Sequence, residues 1–259
     1  MNDRPITPIL LLTAAIDARN GAACMFSRSE RYKQYLHTFR WYVHFLKRNS
    51  DLCKGLLFCD NSEADLSEFR DVVPDSLSNR IEFISLPMKG FRPEKGKSYN
   101  EMRTLDLAME RSSLLASDDV FIKLTGRYPV RNIRRMVKDL RLLQEAVAIC
   151  YFRMRFGGRH SDLADTRCIA FRKSVWQEHF AGLYETADNA THRHFEGIVL
   201  EVIDKHRGET GWTEGFSCPP LILGKQGHVK RIGRIAVPKC CEWAYLLAQY
   251  LYQRRMSRS

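Results

Sequence analysis

Two alternating patterns of apolar positions run along the chain. Short apolar runs at residues 8–16, 55–59, 80–86, 120–124, 146–152 and 167–171 predict buried strands. Between them lie stretches with helical spacing. Residues 31–46 place Tyr35, Phe39, Tyr42, Val43 and Leu46 on one stripe, and residues 99–116, 132–143, 174–180 and 194–206 follow the same rule. A last short strand is expected at 221–223. Strands that alternate with helices imply parallel βαβ units and an α/β sheet covered on both faces. The expected organisation is one domain over residues 1–238, followed by a basic amphipathic helix or tail over 239–259.

Composition narrows this picture. A chain of 259 residues is long enough to bury about three quarters of its unfolded surface, so it needs no metal or disulfide staple. The formal net charge of +11 attracts polyanions and phosphorylated substrates. No arginine-rich tract interleaved with aromatics accompanies it, so nucleic acid is not expected as a partner. The eight cysteines contain no Cys-x-x-Cys pair, which argues against a zinc ribbon. The apolar run at 9–12 is too short for a secretory leader, and no run approaches the roughly 20 residues that span a bilayer. These features predict free thiols and a cytoplasmic protein.

In open α/β sheets ligands bind beyond the carboxyl ends of the strands, so the residues after each strand carry the candidate chemistry. Three such segments stand out. The first is Asp60-Asn61-Ser62 with Asp65, where a carboxylate after a buried strand suits the N–H edge of a base or a ribose hydroxyl. Its plainer reading is an Asx-turn in which Asp60 caps the next helix. The second is Gly96-Lys97-Ser98 with Glu101, at the mouth of a helix, where glycine and free N–H groups attract phosphate. It is not a Walker A loop, and it also reads as a capping box with Ser98 as N-cap and Glu101 at N3. The third is Lys123-Leu124-Thr125-Gly126-Arg127. A lysine inside an apolar strand must be paired, either with an anionic ligand or with a core carboxylate such as Glu101 or Asp119. Arg127, after a glycine turn, suits bidentate contact with a diphosphate. Thr13, near the end of the first strand, is grouped with the donor-side residues.

In this order the segments resemble those of GT-A glycosyltransferases, and more narrowly of bacterial capsule and lipopolysaccharide glycosyltransferase-like proteins. That group pairs a Phe-Cys-Glu/Asp-Asn-Ser segment with a Gly-Lys-Gly-x-Gly-Glu segment and a Lys-x-Thr-Gly-Arg segment. Here they stand as Phe58 to Ser62, Gly96 to Glu101 and Lys123 to Arg127, with Ser98 and Asn100 replacing glycines in the middle one. The resemblance covers roughly residues 8–227. It implies a GT-A-like single domain with a mostly parallel sheet, a nucleotide-sugar donor, and a glycan or lipid-linked glycan acceptor. Asp60, Ser62 and Asp65 resemble the base-holding segment of inverting GT-A enzymes. The Asp-x-Asp metal clamp of those enzymes is replaced by Lys123 to Arg127, and Asp118-Asp119 lies at the wrong end of its strand. The resemblance therefore implies that Lys123 and Arg127 stabilise the leaving diphosphate, with Mn²⁺ or Mg²⁺ not indicated.

An inverting transfer needs a base near the acceptor hydroxyl. Glu196, in His192-Arg193-His194-Phe195-Glu196, is the first candidate, and Asp162 and Asp165 in a polar stretch before a strand are the second. His192, His194 and Glu196 lack a second ligand cluster, so no metal site is assigned to them. The segment 219–227 resembles the group's glycine-rich closing loop, which puts Lys225 and His228 over the diphosphate or the acceptor. Trp243, Leu246, Leu247, Tyr250 and Leu251 beside Arg254, Arg255 and Arg258 predict a helix that meets an anionic membrane or docks on its own domain. The rival functions are a degenerate sugar-binding scaffold on the same fold and a nucleotidyltransferase.

Overall fold

The computed structural model describes residues 5–17, 26–142, 147–156, 159–213, 215–216 and 220–222. Seven strands form one sheet: β1 (Ile9–Ala14), β2 (Gly55–Asp60), β3 (Ile81–Ser85), β4 (Val120–Thr125), β5 (Val147–Phe156), β6 (Arg159–Arg172) and β7 (Trp212–Thr213), in the order β3-β2-β1-β4-β6-β5-β7. β3, β2, β1 and β4 are parallel, β6 runs against both β4 and β5, and β7 is parallel to β5. β1 and β2 are buried at every position, as strands covered on both faces must be.

Among the described residues six helices cover the sheet: α1 (Arg28–Arg48), α2 (Ser67–Asp71), α3 (Lys97–Arg111), α4 (Ile133–Leu142), α5 (Lys173–His179) and α6 (Phe195–Lys205). Strand alternation divides the core in two. Leu10, Leu12, Leu56, Phe58, Ile122 and Leu124 point to the layer filled by α1 and α4. Ile9, Leu11, Leu57, Cys59 and Phe121 point to the layer filled by α3, α5 and α6. Lys123 lies between Ile122 and Leu124 and so projects into the second layer.

Local chemistry sets the element ends. Ser27 caps α1 in a capping box: its hydroxyl accepts from Glu30 N at 3.2 Å, and Glu30 Oε2 accepts from Ser27 N at 2.8 Å. This starts α1 three residues before the apolar stripe does. α3 starts at Lys97 behind Gly96, whose φ of +89° favours glycine, and no side chain caps it. The expected Ser98–Glu101 capping box is therefore absent; Glu101 is drawn away from the helix end to a lysine. α3 stops at Arg111 rather than 116, because Glu82 of β3 captures the following loop. Its carboxylate accepts from Ser112 Oγ at 2.6 Å, Ser113 N at 2.9 Å and Leu114 N at 3.0 Å.

Two expectations are corrected on the far side of the sheet. The polar stretch at 159–166 is not a loop before a strand; it is the first half of β6, paired with β5 from Phe156↔Arg159 to Tyr151↔Ala164. The connections are thus not all parallel βαβ units. Where a strand over 221–223 was expected, Ile222 makes an isolated bridge with Val130, and among the described residues the last strand is Trp212–Thr213. Residues 223–259, with the proposed C-terminal helix, lie outside the described residues. Among the described residues no helix is long and apolar enough to cross a membrane.

Candidate functional site

The carboxyl ends of β2, β1 and β4 lie side by side, with Thr13 level with Cys59 on one side and Thr125 on the other. The N-terminal half of α3 crosses behind them. Asn61 Nδ2 donates to Thr104 Oγ1 of α3 at 2.8 Å, and Gly126 N donates to Thr13 O at 2.9 Å. The segments 60–65, 96–101 and 123–127 therefore meet at one edge of the sheet. Gly126 allows the close approach: a Cβ there would sit 2.8 Å from Thr13 O and 3.1 Å from the Tyr35 ring.

Asp60 organises this edge from inside. It is fully buried, and its oxygens accept from Ile16 N at 3.1 Å, Ser62 N at 2.9 Å and Ala64 N at 3.2 Å, and from the Ser62 hydroxyl at 2.8 Å. Ser62 Oγ in turn accepts from Asp17 N at 2.8 Å. One carboxylate thus ties the loop after β1 to the loop after β2. Asp60 and Ser62 were expected to face a nucleotide base; with both Asp60 oxygens engaged and Ser62 buried, they shape the loops instead. Nor does Asp60 cap α2, whose N-cap is Leu66. Asp65 is exposed and accepts from Ser67 N at 2.9 Å. Asp60→Ala would leave three buried N–H donors unsatisfied, so it is expected to cost about 3 kcal/mol in urea unfolding. A loss well under 1 kcal/mol would show that water replaces the carboxylate.

Behind this ledge lies a chain of alternating charges. Lys123 is fully buried and its Nζ lies 2.5 Å from Glu101 Oε1 and 2.6 Å from Thr166 O. Glu101 Oε2 is 3.3 Å from Lys97 Nζ, whose side chain is 75% exposed. Thr166, buried in β6, donates from Oγ1 to Glu196 Oε1 at 3.2 Å, at the start of α6. Thr13 Oγ1 is 3.5 Å from Glu101 Oε1. Burial alone would raise the Glu101 acid, but the ammonium groups of Lys123 and Lys97 outweigh it and hold its pKa at about 2. The Glu101 carboxylate raises Lys97 in return, with the charges of Glu196 and Arg127 also acting on it. Lys123 was expected to face the donor diphosphate. It is spent on an internal carboxylate and a backbone carbonyl, the core pairing that its place in the strand also allowed.

The Glu101 shift has a sign that can be measured. Its folded-state value lies below its ordinary 4.5, so the unfolded chain binds the extra proton as pH falls. The stabilisation is complete above about pH 5 and is lost as pH falls from about 4.5 toward 2, amounting to about 3 kcal/mol. Glu101→Gln should flatten that segment of a stability-against-pH curve; an unchanged slope would remove Glu101 as its source.

Arg127 differs from Lys123. Its guanidinium lies 5.1 Å from the Tyr128 ring centroid and 5.9 Å from that of Phe26, and its buried Nη1 has no hydrogen-bond partner among the described residues. A buried, unpaired donor of this kind is costly, so its place at a strand end marks it as the group with binding capacity to spare.

No protein-family model matches the sequence, and no curated protein is similar to it. Solved structures do match. The galactosyltransferase LgtC, solved with donor and acceptor sugar analogues, aligns over 93% of this chain and 95% of its own at 11% identity, with a TM-score of 0.50. The chain has a GT-A-like fold. The inositol-1-phosphate CTP transferase from T. maritima aligns over 82% of this chain and 86% of its own (11% identity, TM-score 0.46). HddC from Yersinia pseudotuberculosis aligns over 81% and 90% (10% identity, TM-score 0.44).

On this GT-A-like fold the remaining expected residues can be placed. Asn61, Gly96, Lys97, Thr125, Arg127 and Glu196 line or border the charged edge. Asp165 is buried and held by Arg167, with Arg167 Nε at 2.8 Å and Nη2 at 2.6 Å from its oxygens, so it is not a free base. Asp162 is on β6 opposite Arg153; its side chain, like Lys225 and His228, lies outside the described residues. Asp119 sits at the opposite end of β4, where it accepts from Ala116 N at 2.8 Å and Lys54 Nζ at 2.5 Å. The residues at the end of β4 do not fit a divalent cation: a lysine and an arginine stand there, and Glu101 is occupied by two ammonium groups. Among the described residues no cluster of three metal-binding side chains forms. Thr166 is the site residue that sequence reading missed. A neutral threonine ahead of an apolar run carries no signal; only the pairing of β6 with β4 brings it to Lys123.

Proposed function

We propose that this protein is a transferase that takes a nucleotide-activated sugar and passes the sugar, with inversion, to a glycan or lipid-linked glycan acceptor of the surface-polysaccharide or lipopolysaccharide type. The observation that carries this reading is the Nη1 of Arg127, without a partner among the described residues, at the carboxyl ends of parallel strands where Lys97 feels the charges of both Arg127 and Glu196. In this reading Arg127 and the uncapped N-terminus of α3 hold the diphosphate, with Lys97 adding charge at the solvent side. Asn61 and the loop ledge flank the nucleoside. Glu196, fixed by Thr166, takes the proton of the acceptor hydroxyl as its oxygen attacks the anomeric carbon. The bond to the diphosphate breaks on the opposite face, and the charge that develops there falls to Arg127 and Lys97. Lys123 and Glu101 act through position: they hold β4, α3 and β6 in register beneath the reacting groups.

A thermal-shift screen of UDP-, GDP-, CMP- and dTDP-sugars, each with and without Mn²⁺, tests this. A donor at 100 times its dissociation constant should stabilise the protein by about 2.7 kcal/mol. Arg127→Gln should remove that shift without lowering the melting point of the free protein. No shift with any donor, or an undiminished shift in the variant, would overturn the reading.

A further inference from the structure

Among the described helices, positive charge is concentrated on one side of the sheet. α1 and α4 together carry ten lysines and arginines against two carboxylates. Helices α3, α5 and α6, on the other side, carry five against seven. The short helix α2 on the same layer as α1 and α4 adds Arg70 against Glu68 and Asp71, so that side stays strongly basic. The two helices are neighbours: Tyr42 OH in α1 accepts from Val130 N, just ahead of α4, at 3.0 Å.

The basic groups point outward because the apolar ones are used. Ile133, Met136, Val137 and Leu140 of α4 are at most 1% exposed in the core. Arg134, Arg135 and Lys138 on its other side are exposed and make no ion pair with any described residue, and the same holds for Lys47 and Arg48 at the end of α1. No Phe, Tyr or Trp of either helix is exposed, so the layer has no platform on which nucleic-acid bases could stack. Nor can either helix turn an apolar side outward to insert into lipid. What the two helices present to solvent is a set of exposed lysines and arginines.

We propose that the α1/α4 face adsorbs electrostatically to an anionic lipid surface, without insertion. An anionic leaflet attracts each nearby lysine or arginine within a Debye length, and several on one plane together make the contact significant and salt-sensitive. The slightly negative opposite layer then faces away, so the protein meets the membrane in one orientation. The proposal concerns the side chains of α1 and α4 alone, and it does not depend on the transferase reading.

The test is flotation of the full chain with vesicles of phosphatidylcholine alone or with about a third phosphatidylglycerol, at roughly 0.1 M salt and again at several-fold higher salt. Binding is expected only with the anionic lipid and should fall steeply with salt. The triple variant R134Q/R135Q/K138Q should bind about a hundredfold more weakly. Its circular dichroism and melting point should match the parent, since these side chains touch nothing in the core; should it not fold, K47Q/R48Q provides the same comparison on α1. Undiminished binding by the folded variants overturns the proposal. So does loss of binding only in R254Q/R255Q/R258Q, which assigns the contact to the tail. Tighter binding to duplex DNA or RNA than to vesicles, sensitive to the same residues, would replace lipid with nucleic acid.

Discussion

Glu101→Gln is expected to cost about 3–5 kcal/mol of stability and to lower the melting temperature by roughly 10 °C or more. The reason is asymmetric burial. Lys123 is enclosed on all sides, and Glu101 Oε1 at 2.5 Å is its charged partner. A neutral glutamine keeps a hydrogen bond but leaves an ammonium in the core without a counter-charge. Lys123→Met should cost less, because Glu101 is 12% exposed and keeps Lys97 as a second cation. The double variant E101Q/K123M should be more stable than E101Q alone, since it removes the stranded charge. Urea unfolding of the four proteins measures this directly. Simple additivity of the two single costs, or a loss below about 1 kcal/mol in E101Q, would show that the pair is not energetically coupled.

In the proposed function, Glu196→Gln is expected to lower the rate of sugar transfer by about 10²–10⁴-fold, the usual contribution of a positioned base. The donor-induced thermal shift should survive, because Glu196 faces the acceptor side in the proposed reaction. Thr166 donates to its Oε1, so Thr166→Val should lower the rate less and shift its pH profile, a readout that loosened packing alone does not move. If E196Q transfers sugar at the parent rate, the base is elsewhere, and Asp162 on β6 is the next carboxylate to change. Both experiments need the donor identified first by the thermal-shift screen.

The sequence makes some parts of this site readable and hides others for physical reasons. The ends of β1, β2 and β4 are visible because buried parallel strands read as unbroken apolar runs, and the chemistry follows them directly. The inward turn of Asp60 is not visible. A carboxylate after a strand has the same spacing whether it faces a ligand or collects the N–H groups of two loops. Lys123 is in between: its alternation with Ile122 and Leu124 announces a buried charge, but the identity of its partner depends on α3 crossing behind β4. The antiparallel strand was hidden by its polar first half, His160 to Thr166, which matches a loop in composition. The Gly157-Gly158 pair in the sequence was the available signal for a hairpin. Ser98 and Glu101 form a capping pattern that the fold overrides, because the ion pair to Lys123 is worth more to the core than a helix cap is at the surface.

The Asp60 knot also limits how this protein can change. Ile16, Ser62 and Ala64 bond one carboxylate directly and Asp17 joins them through the Ser62 hydroxyl, so an alteration on either loop is felt by both, and in the proposed function a new nucleoside preference is hard to reach through them. Asn61 and Asp65 stand outside the knot. Asn61 still ties the loop to Thr104 of α3, whereas Asp65 is exposed and, among the described residues, bonded only locally to Ser67, so in the proposed function diversification toward other donors has its cheapest route at Asp65.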